Sequence, residues 1–333
     1  MQNSKIKTLL IYKFLEEFSD EENPLSTTDL ISLLDEKGIK CERKSIYADI
    51  KALNEIGCEV VGTALPKKGY YMASRRFQVP EVRLLMDAVN SAGFITPEKT
   101  RLLIKKLESL MSSHQAHNLT SQVYCENKNK CDNEEIYYLI DNLYDAIKRR
   151  KKVRFTYRKR NIDKEAKKSY TNKIFTVSPY ALVWKDGHYY LVCNKSKYDN
   201  LMNLRVDRIR KLDILDNQPI RHFSEVSDYK YVFDSADYAS KMFNMFSGKT
   251  EEITIECHME LREEMMDRFG PKIPLRAVDE NHFETKIQAA VSDGFVSWIM
   301  QYGDRVKVTA PRHMIDKIKC KAYSVLSNYN TLL

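Results

Sequence analysis

Apolar positions recur at helical spacing through the first third of the chain and at every second residue further on, so the predicted elements change character along it. Ile6, Leu9, Leu10, Phe14 and Phe18 mark an amphipathic helix over 4–18. An acidic break follows, Asp20–Glu22 with Asn23 and Pro24. Ser26 three residues before Asp29 is a capping-box start for a second helix with Leu30, Leu33 and Leu34 inward, ended by Gly38. A third helix is expected from Glu42 to Ile56, with Ile46, Ile50 and Leu53 on one face and Gly57 closing it. Val60–Gly62 and Tyr70–Met72 flank Lys67-Lys68-Gly69, which reads as a hairpin with a cationic tip. Val79–Met111 predicts two helices broken at Gly93–Pro97, 112–133 is polar and expected to be a loop, and Ile136, Leu139, Ile140, Leu143 and Ile147 start another helix.

From residue 153 the period becomes two. Val153, Phe155 and Tyr157 alternate with Arg154 and Thr156, a first strand. Three more are expected at Phe175–Leu182, His188–Cys193 and Met202–Leu212, joined by a Lys185-Asp186-Gly187 turn and a polar loop around 195–200. Alternation puts His188, Tyr190 and Val192 on one face and Tyr189, Leu191 and Cys193 on the other. Tyr189 and Leu191 are expected in the core. Arg205 and Asp207 share a face, and Arg208 lies opposite unless a bulge re-aims it. Two arginines three apart in an apolar strand need a partner. Asp207 is placed to orient one of them. Glu251–Leu326 reads β-α-β-β-α-β-α, a ferredoxin-like order, with Trp298 in the core.

At 333 residues, with 43% hydrophobic and 30% charged residues, the chain suits two or three globular domains. No apolar run is long enough for a membrane span. Seven cysteines without a CxxC pair suit thiols in a reducing cytoplasm. His114, His117, Cys125 and Cys131 have the wrong spacing for a closed zinc site, and no metal or cofactor is expected. The net charge of +8 is concentrated: residues 148–173 hold thirteen Lys or Arg against Asp163 and Glu165. Such a segment points to an anionic partner, nucleic acid or a phosphorylated ligand. No Walker loop, GxGxxG, HExxH or GxSxG occurs, and acids do not cluster with His, so a hydrolase or nuclease is disfavoured and no enzyme is expected.

On the third helix Lys44, Tyr47, Ala48 and Lys51 lie opposite the apolar face, with Arg43 in the first turn. Helix, helix, turn, helix with an outward basic face follows helix-turn-helix logic, and Arg43, Lys44, Ser45, Tyr47, Lys51, Lys67 and Lys68 are the candidate contacts to double-stranded DNA. Residues 1–76 nonetheless balance twelve basic against twelve acidic residues, the acids clustering at Glu16–Glu22.

Three motifs resemble the WYL family, whose Sm-like β-barrel senses ligands in bacterial transcription regulators. They are Ser178-Pro179-Tyr180, Leu204–Ile209, and Tyr189-Tyr190-Leu191, where the family's Trp is a Tyr. The run RKSIYADIKALNEIGCEV followed by KKGYYM resembles the winged helix-turn-helix that precedes such barrels, and Asp293-Gly294, Trp298 and the final strand resemble the WCX extension that follows them. The resemblance implies an α+β multidomain chain: a winged helix-turn-helix (1–76), a helical linker (77–133), a WYL sensor (134–240) and a ferredoxin-like WCX domain (250–333). It implies an effector pocket of Ser178, Tyr180, His188, Tyr190, Arg205 and Arg208. Two guanidiniums suit an anion, and tyrosine rings suit a base, so the effector is expected to be a nucleotide or single-stranded nucleic acid. The function implied is a homodimeric, DNA-binding transcriptional regulator. The alternative is a nucleic-acid-sensing accessory protein of a defence or DNA-damage response.

Overall fold

A computed structural model describes residues 2–120, 130–162 and 168–329. The chain divides into two compact units, Met1–Asp132 and Asn133–Leu333.

The first unit begins with helices α1 (Gln2–Phe18), α2 (Thr27–Glu36) and α3 (Arg43–Glu55), followed by the antiparallel strands β1 (Val60–Thr63) and β2 (Gly69–Met72). The expected capping box starts α2: the Asp29 amide donates to Ser26 Oγ at 3.1 Å, and the Ser26 amide donates to Asp29 Oδ2 at 2.8 Å. Ile11, Leu15, Leu30, Leu34 and Ile46 are fully buried and pack the three helices together. An internal ion pair also ties α1 to α3: Lys7 Nζ lies 2.8 Å from Asp49 Oδ2, and Thr8 Oγ1 donates to Asp49 Oδ1 at 2.6 Å. Leu25 and Tyr70 exchange both main-chain hydrogen bonds, so the hairpin gains a short third partner. Gly69 is needed there because a Cβ would sit 2.7 Å from the Leu25 carbonyl oxygen.

Helices α4 (Val79–Ser91) and α5 (Pro97–Glu108) form as expected, the second capped by Thr96. The expected loop over 112–133 is corrected in part, because Ser113–Thr120 is a helix, α6. Ser112 starts it, accepting from the Gln115 amide at 3.1 Å and donating to the buried Asp20 carboxylate. Among the described side chains of α6 only Leu119 is buried, so its polar sequence carries little periodic signal.

The second unit opens with α7 (Ile136–Lys148) and five strands: β3 (Lys151–Ile162), β4 (Lys168–Lys185), β5 (His188–Asn194), β6 (Met202–Arg205) and β7 (Ile209–Pro219). Their sheet order is β6-β5-β4-β3-β7. β4 serves two partners, β3 through Val177 and β5 from Ser178 onward, with a register shift between Pro179 and Ala181. The expected single strand Met202–Leu212 is corrected: Val206–Arg208 forms a 3-10 turn that separates β6 from β7. After helix α8 (Ser235–Lys241) come β8 (Thr250–His258), α9 (Arg262–Phe269), β9 (Leu275–Ala277), β10 (His282–Ala290), α10 (Asp293–Met300), β11 (Val306–Ala310) and α11 (Arg312–Ser327). This is the expected β-α-β-β-α-β-α run, in an antiparallel sheet ordered β11-β8-β10-β9. Trp298 packs among Phe243, Phe269, Phe295 and Tyr302, as expected of a core residue. Helices and antiparallel sheets in separate stretches make the fold α+β.

Candidate anion site and recognition helix

The 3-10 turn Val206–Arg208 sets the buried Asp207 between two arginines at the β6–β7 break. Its Asp207 carbonyl accepts from Asn133 Nδ2 at 3.4 Å and from Arg210 Nη1 at 2.6 Å, and the same two groups donate to Ile209 O, just past the turn, at 3.0 and 2.9 Å. Within it Arg205 forms a two-pronged pair with the buried Asp207, Nε to Oδ1 at 3.0 Å and Nη2 to Oδ2 at 2.7 Å. Asp207 thus orients Arg205 and cancels most of its charge. The turn also answers the question of Arg208. Breaking the strand brings its exposed side chain beside the hydroxyl of Tyr157, which also accepts from the Arg205 amide at 3.2 Å. Burial pushes the Tyr157 phenol up, and Arg208 draws it partly back.

Register sets Tyr190 opposite Arg205, so β5 faces the same cluster. His188 stands edge-on to Tyr190 with centroids 6.5 Å apart, and its Nδ1 is buried with no hydrogen-bond partner among the described residues. Burial, then the Arg205 charge, holds His188 below the usual imidazole range. Lys173 lies opposite Tyr157, and Lys195 Nζ is 5.5 Å from the Phe175 ring centroid, which adds positive charge nearby. Four of the six expected effector residues therefore come together: His188, Tyr190, Arg205 and Arg208.

Ser178 and Tyr180 are committed elsewhere. Ser178 Oγ accepts from the Arg221 amide at 3.0 Å, and Tyr180 OH donates to Arg221 O at 2.9 Å. Both polar groups of one residue's main chain are thereby satisfied by the bend of β4, and burial pushes the Tyr180 phenol up to about 12. Tyr189 departs from its expected core place, stacking at 5.9 Å on Trp184, which is half exposed, whereas Leu191 is fully buried. Sequence reasoning missed Tyr157, Asn133 and Arg210. Tyr157 carried a usable signal, since a buried tyrosine hydroxyl needs a partner.

On α3, Arg43, Lys44, Tyr47 and Lys51 are exposed along one side. Arg43 donates to Thr28 Oγ1 at 3.2 Å, and Lys51 makes a surface pair with Glu55 at 3.8 Å. Ser45 turns inward instead and accepts from Lys7, so it braces α3 against α1. At the hairpin tip Lys67 lies 3.6 Å from Asp29, and Lys68 is exposed. In the basic segment Arg149 pairs with Asp145 and Asp216, and Arg154 with Asp213 at 3.3 Å. Residues 163–167 of that segment lie outside the described residues, as does Cys125, while His114 and His117 are exposed on α6.

Comparison with known proteins adds sequence likeness to this geometry. The WYL domain model matches residues 138–214 and the WCX domain model residues 249–326. A curated relative in Bacillus subtilis (strain 168), named "Uncharacterized HTH-type transcriptional regulator YobV", is 20% identical over 86% of this chain and 90% of its own length. Proteasome accessory factor B/C (PafBC) of Arthrobacter aurescens is 12% identical, with a TM-score of 0.27 over 94% of this chain. The match spans 45% of that structure's chain. A CRISPR Cas-related protein is 12% identical with a TM-score of 0.36, over 100% of this chain and 85% of its own. Residues 138–214 thus carry a WYL domain and residues 249–326 a WCX domain.

Proposed function

We propose that the chain is a DNA-binding transcriptional regulator of the cytoplasm, acting as a homodimer, whose WYL sheet senses an anionic effector of nucleotide or single-stranded nucleic-acid type. In this reading 1–76 is the winged helix-turn-helix, 77–133 a helical linker, 134–240 the Sm-like sensor and 250–333 a ferredoxin-like extension. α3 enters the major groove with Arg43, Lys44, Tyr47 and Lys51, and Lys67 and Lys68 at the hairpin tip reach the phosphates. The protein binds and responds; it catalyses nothing.

One observation carries the sensing role. Arg208 is an exposed guanidinium at the Tyr157 hydroxyl, its charge also felt by Tyr190 and His188, while its neighbour Arg205 is occupied by Asp207. Of the two arginines, Arg208 is therefore the one left to meet an anion, Arg205 presents its remaining N–H groups, and the Tyr190 ring offers a stacking surface. Ser178 and Tyr180, placed in the pocket by resemblance, here hold the scaffold through Arg221. The test is DNA binding by the full chain with and without an added single-stranded oligonucleotide. Arg208→Ala should abolish the response to the oligonucleotide and leave DNA affinity alone unchanged. An Arg208→Ala protein that responds like wild type overturns the assignment.

A further inference from the structure

Two half-buried cations meet at a second place, where the tip of the β4–β5 hairpin reaches α8 and α9. Arg268, in the last turn of α9, lays its guanidinium over the Phe243 ring at 4.5 Å from the centroid, beside Phe269 at 5.7 Å, and donates to Met242 O at 3.0 Å. Lys185, at the end of β4, donates to that same carbonyl and to Ala239 O, at 2.6 Å each. Neither forms an ion pair among the described residues, and Asp186 is the one carboxylate whose charge both feel. Burial, with repulsion from Arg268, brings the Lys185 ammonium down to about 8, and burial lowers the Arg268 guanidinium as well.

Arg268 lines a cleft of 780 Å³ between α8, the 270–274 segment and β10. Lys241, Lys272 and Lys286 line it too, against a single acid, Asp237. Asp237 is already engaged by Tyr229 OH at 2.6 Å and Lys241 Nζ at 2.5 Å, and Lys286 pairs with Glu252 at 3.4 Å. Arg268 and Lys272 form no ion pair among the described residues, and Asp186 acts on Arg268 only at a distance.

We propose that this cleft is a phosphate-binding site in which Arg268 grips the anion bidentately and Lys272 closes over it. The phenyl rings beneath the guanidinium fix the plane of its donor fork, the arrangement that suits two parallel N–H···O bonds to a phosphate. A dianion also relieves the uncompensated charge that Arg268 and Lys185 impose on each other. The volume lies within the roughly 300–1,000 Å³ of small-molecule sites, so the phosphate can be free or carried on a sugar-sized molecule. Arg208 does not line this cleft, and the proposal stands whether or not Arg208 senses an effector.

The experiment is calorimetric titration of the full chain carrying Arg208→Ala, which removes the other anion site from competition. Inorganic phosphate and ribose 5-phosphate are titrated separately. Saturable binding of either at millimolar concentration or tighter is expected, and tighter binding of the sugar phosphate identifies the carried form. Adding Lys272→Gln or Arg268→Gln should weaken that binding at least about tenfold. Lys272 is exposed, so its variant reports on binding even where Arg268→Gln fails to fold. Absence of saturable binding to both probes, or binding indifferent to Lys272→Gln, overturns the proposal.

Discussion

Arg205 and Arg208 carry the same group three residues apart, yet their surroundings give them different work. Arg205 is locked to Asp207 by two hydrogen bonds inside a turn whose carbonyls are already tied down, so Arg205→Ala leaves a buried carboxylate without its partner. That variant should lose roughly 1–3 kcal/mol of stability, discounted for the partial exposure of the guanidinium, and its melting temperature should fall. Arg208→Ala should melt like wild type, and equal losses from both would contradict this division. His188 gives the pH dependence. Its folded pKa lies below the unfolded 6.5, so the ring is neutral at pH 7. The unfolded state binds the proton first, so this residue's contribution to stability is complete above 6.5 and is lost as pH falls through the lower folded value. An NMR titration of the free protein should show the His188 midpoint under 6.5, and a midpoint above it would refute the environment described here. The pair of arginines was legible in the sequence because charge in an apolar strand demands explanation. Which of them is free was not, since that depends on a turn that Asn133 fixes from 74 residues away.

At the scale of elements, local signals with a mechanism transferred best. The Ser26 and Asp29 pair, the Gly93–Pro97 break and the Lys185–Gly187 turn each state a backbone requirement in a few residues, and each appears where the pattern put it. α6 and the 3-10 turn did not transfer, because both rest on partners distant in sequence: Ser112 on Asp20, and Asp207 O on Asn133. The SPY bend shows the same limit in another form. Its hydroxyls are the right chemistry for a ligand, but the main chain of Arg221 takes them both. Gly69 supplies the element-scale prediction. Gly69→Ala sets a methyl against the Leu25 carbonyl, and overpacking of that kind costs about 1–3 kcal/mol. Calorimetry should show a lower melting transition for the variant, with weakened duplex binding as the hairpin shifts. An unchanged transition would mean that the Leu25–Tyr70 pairing is dispensable.

At the scale of the whole chain, exposed charge and exposed apolar surface each make a demand on assembly. The last turns of α11 bury nothing: Tyr323 is 72% exposed and Leu326 55%, on a helix whose one buried residue is Met314. A single winged helix reads too few base pairs for specificity, whereas a dimer reads two half-sites roughly one helical turn apart. A dimer is therefore expected by light scattering at micromolar concentration, and Tyr323→Ser with Leu326→Ser should shift it towards monomer. A wild-type monomer, with and without DNA, would remove the dimeric reading. The salt dependence of duplex binding then separates contact from bystander among the basic residues. Each lysine that neutralises one phosphate should, on change to Ala, flatten the slope of log K against log salt by about 0.9. Lys44 and Lys68, exposed and without ion pairs among the described residues, should show the full change. Lys67, held near Asp29, and Lys51, paired with Glu55, should show less, because part of their charge is already met. Four variants with unchanged slopes would place the duplex on some other surface and end the helix-turn-helix assignment.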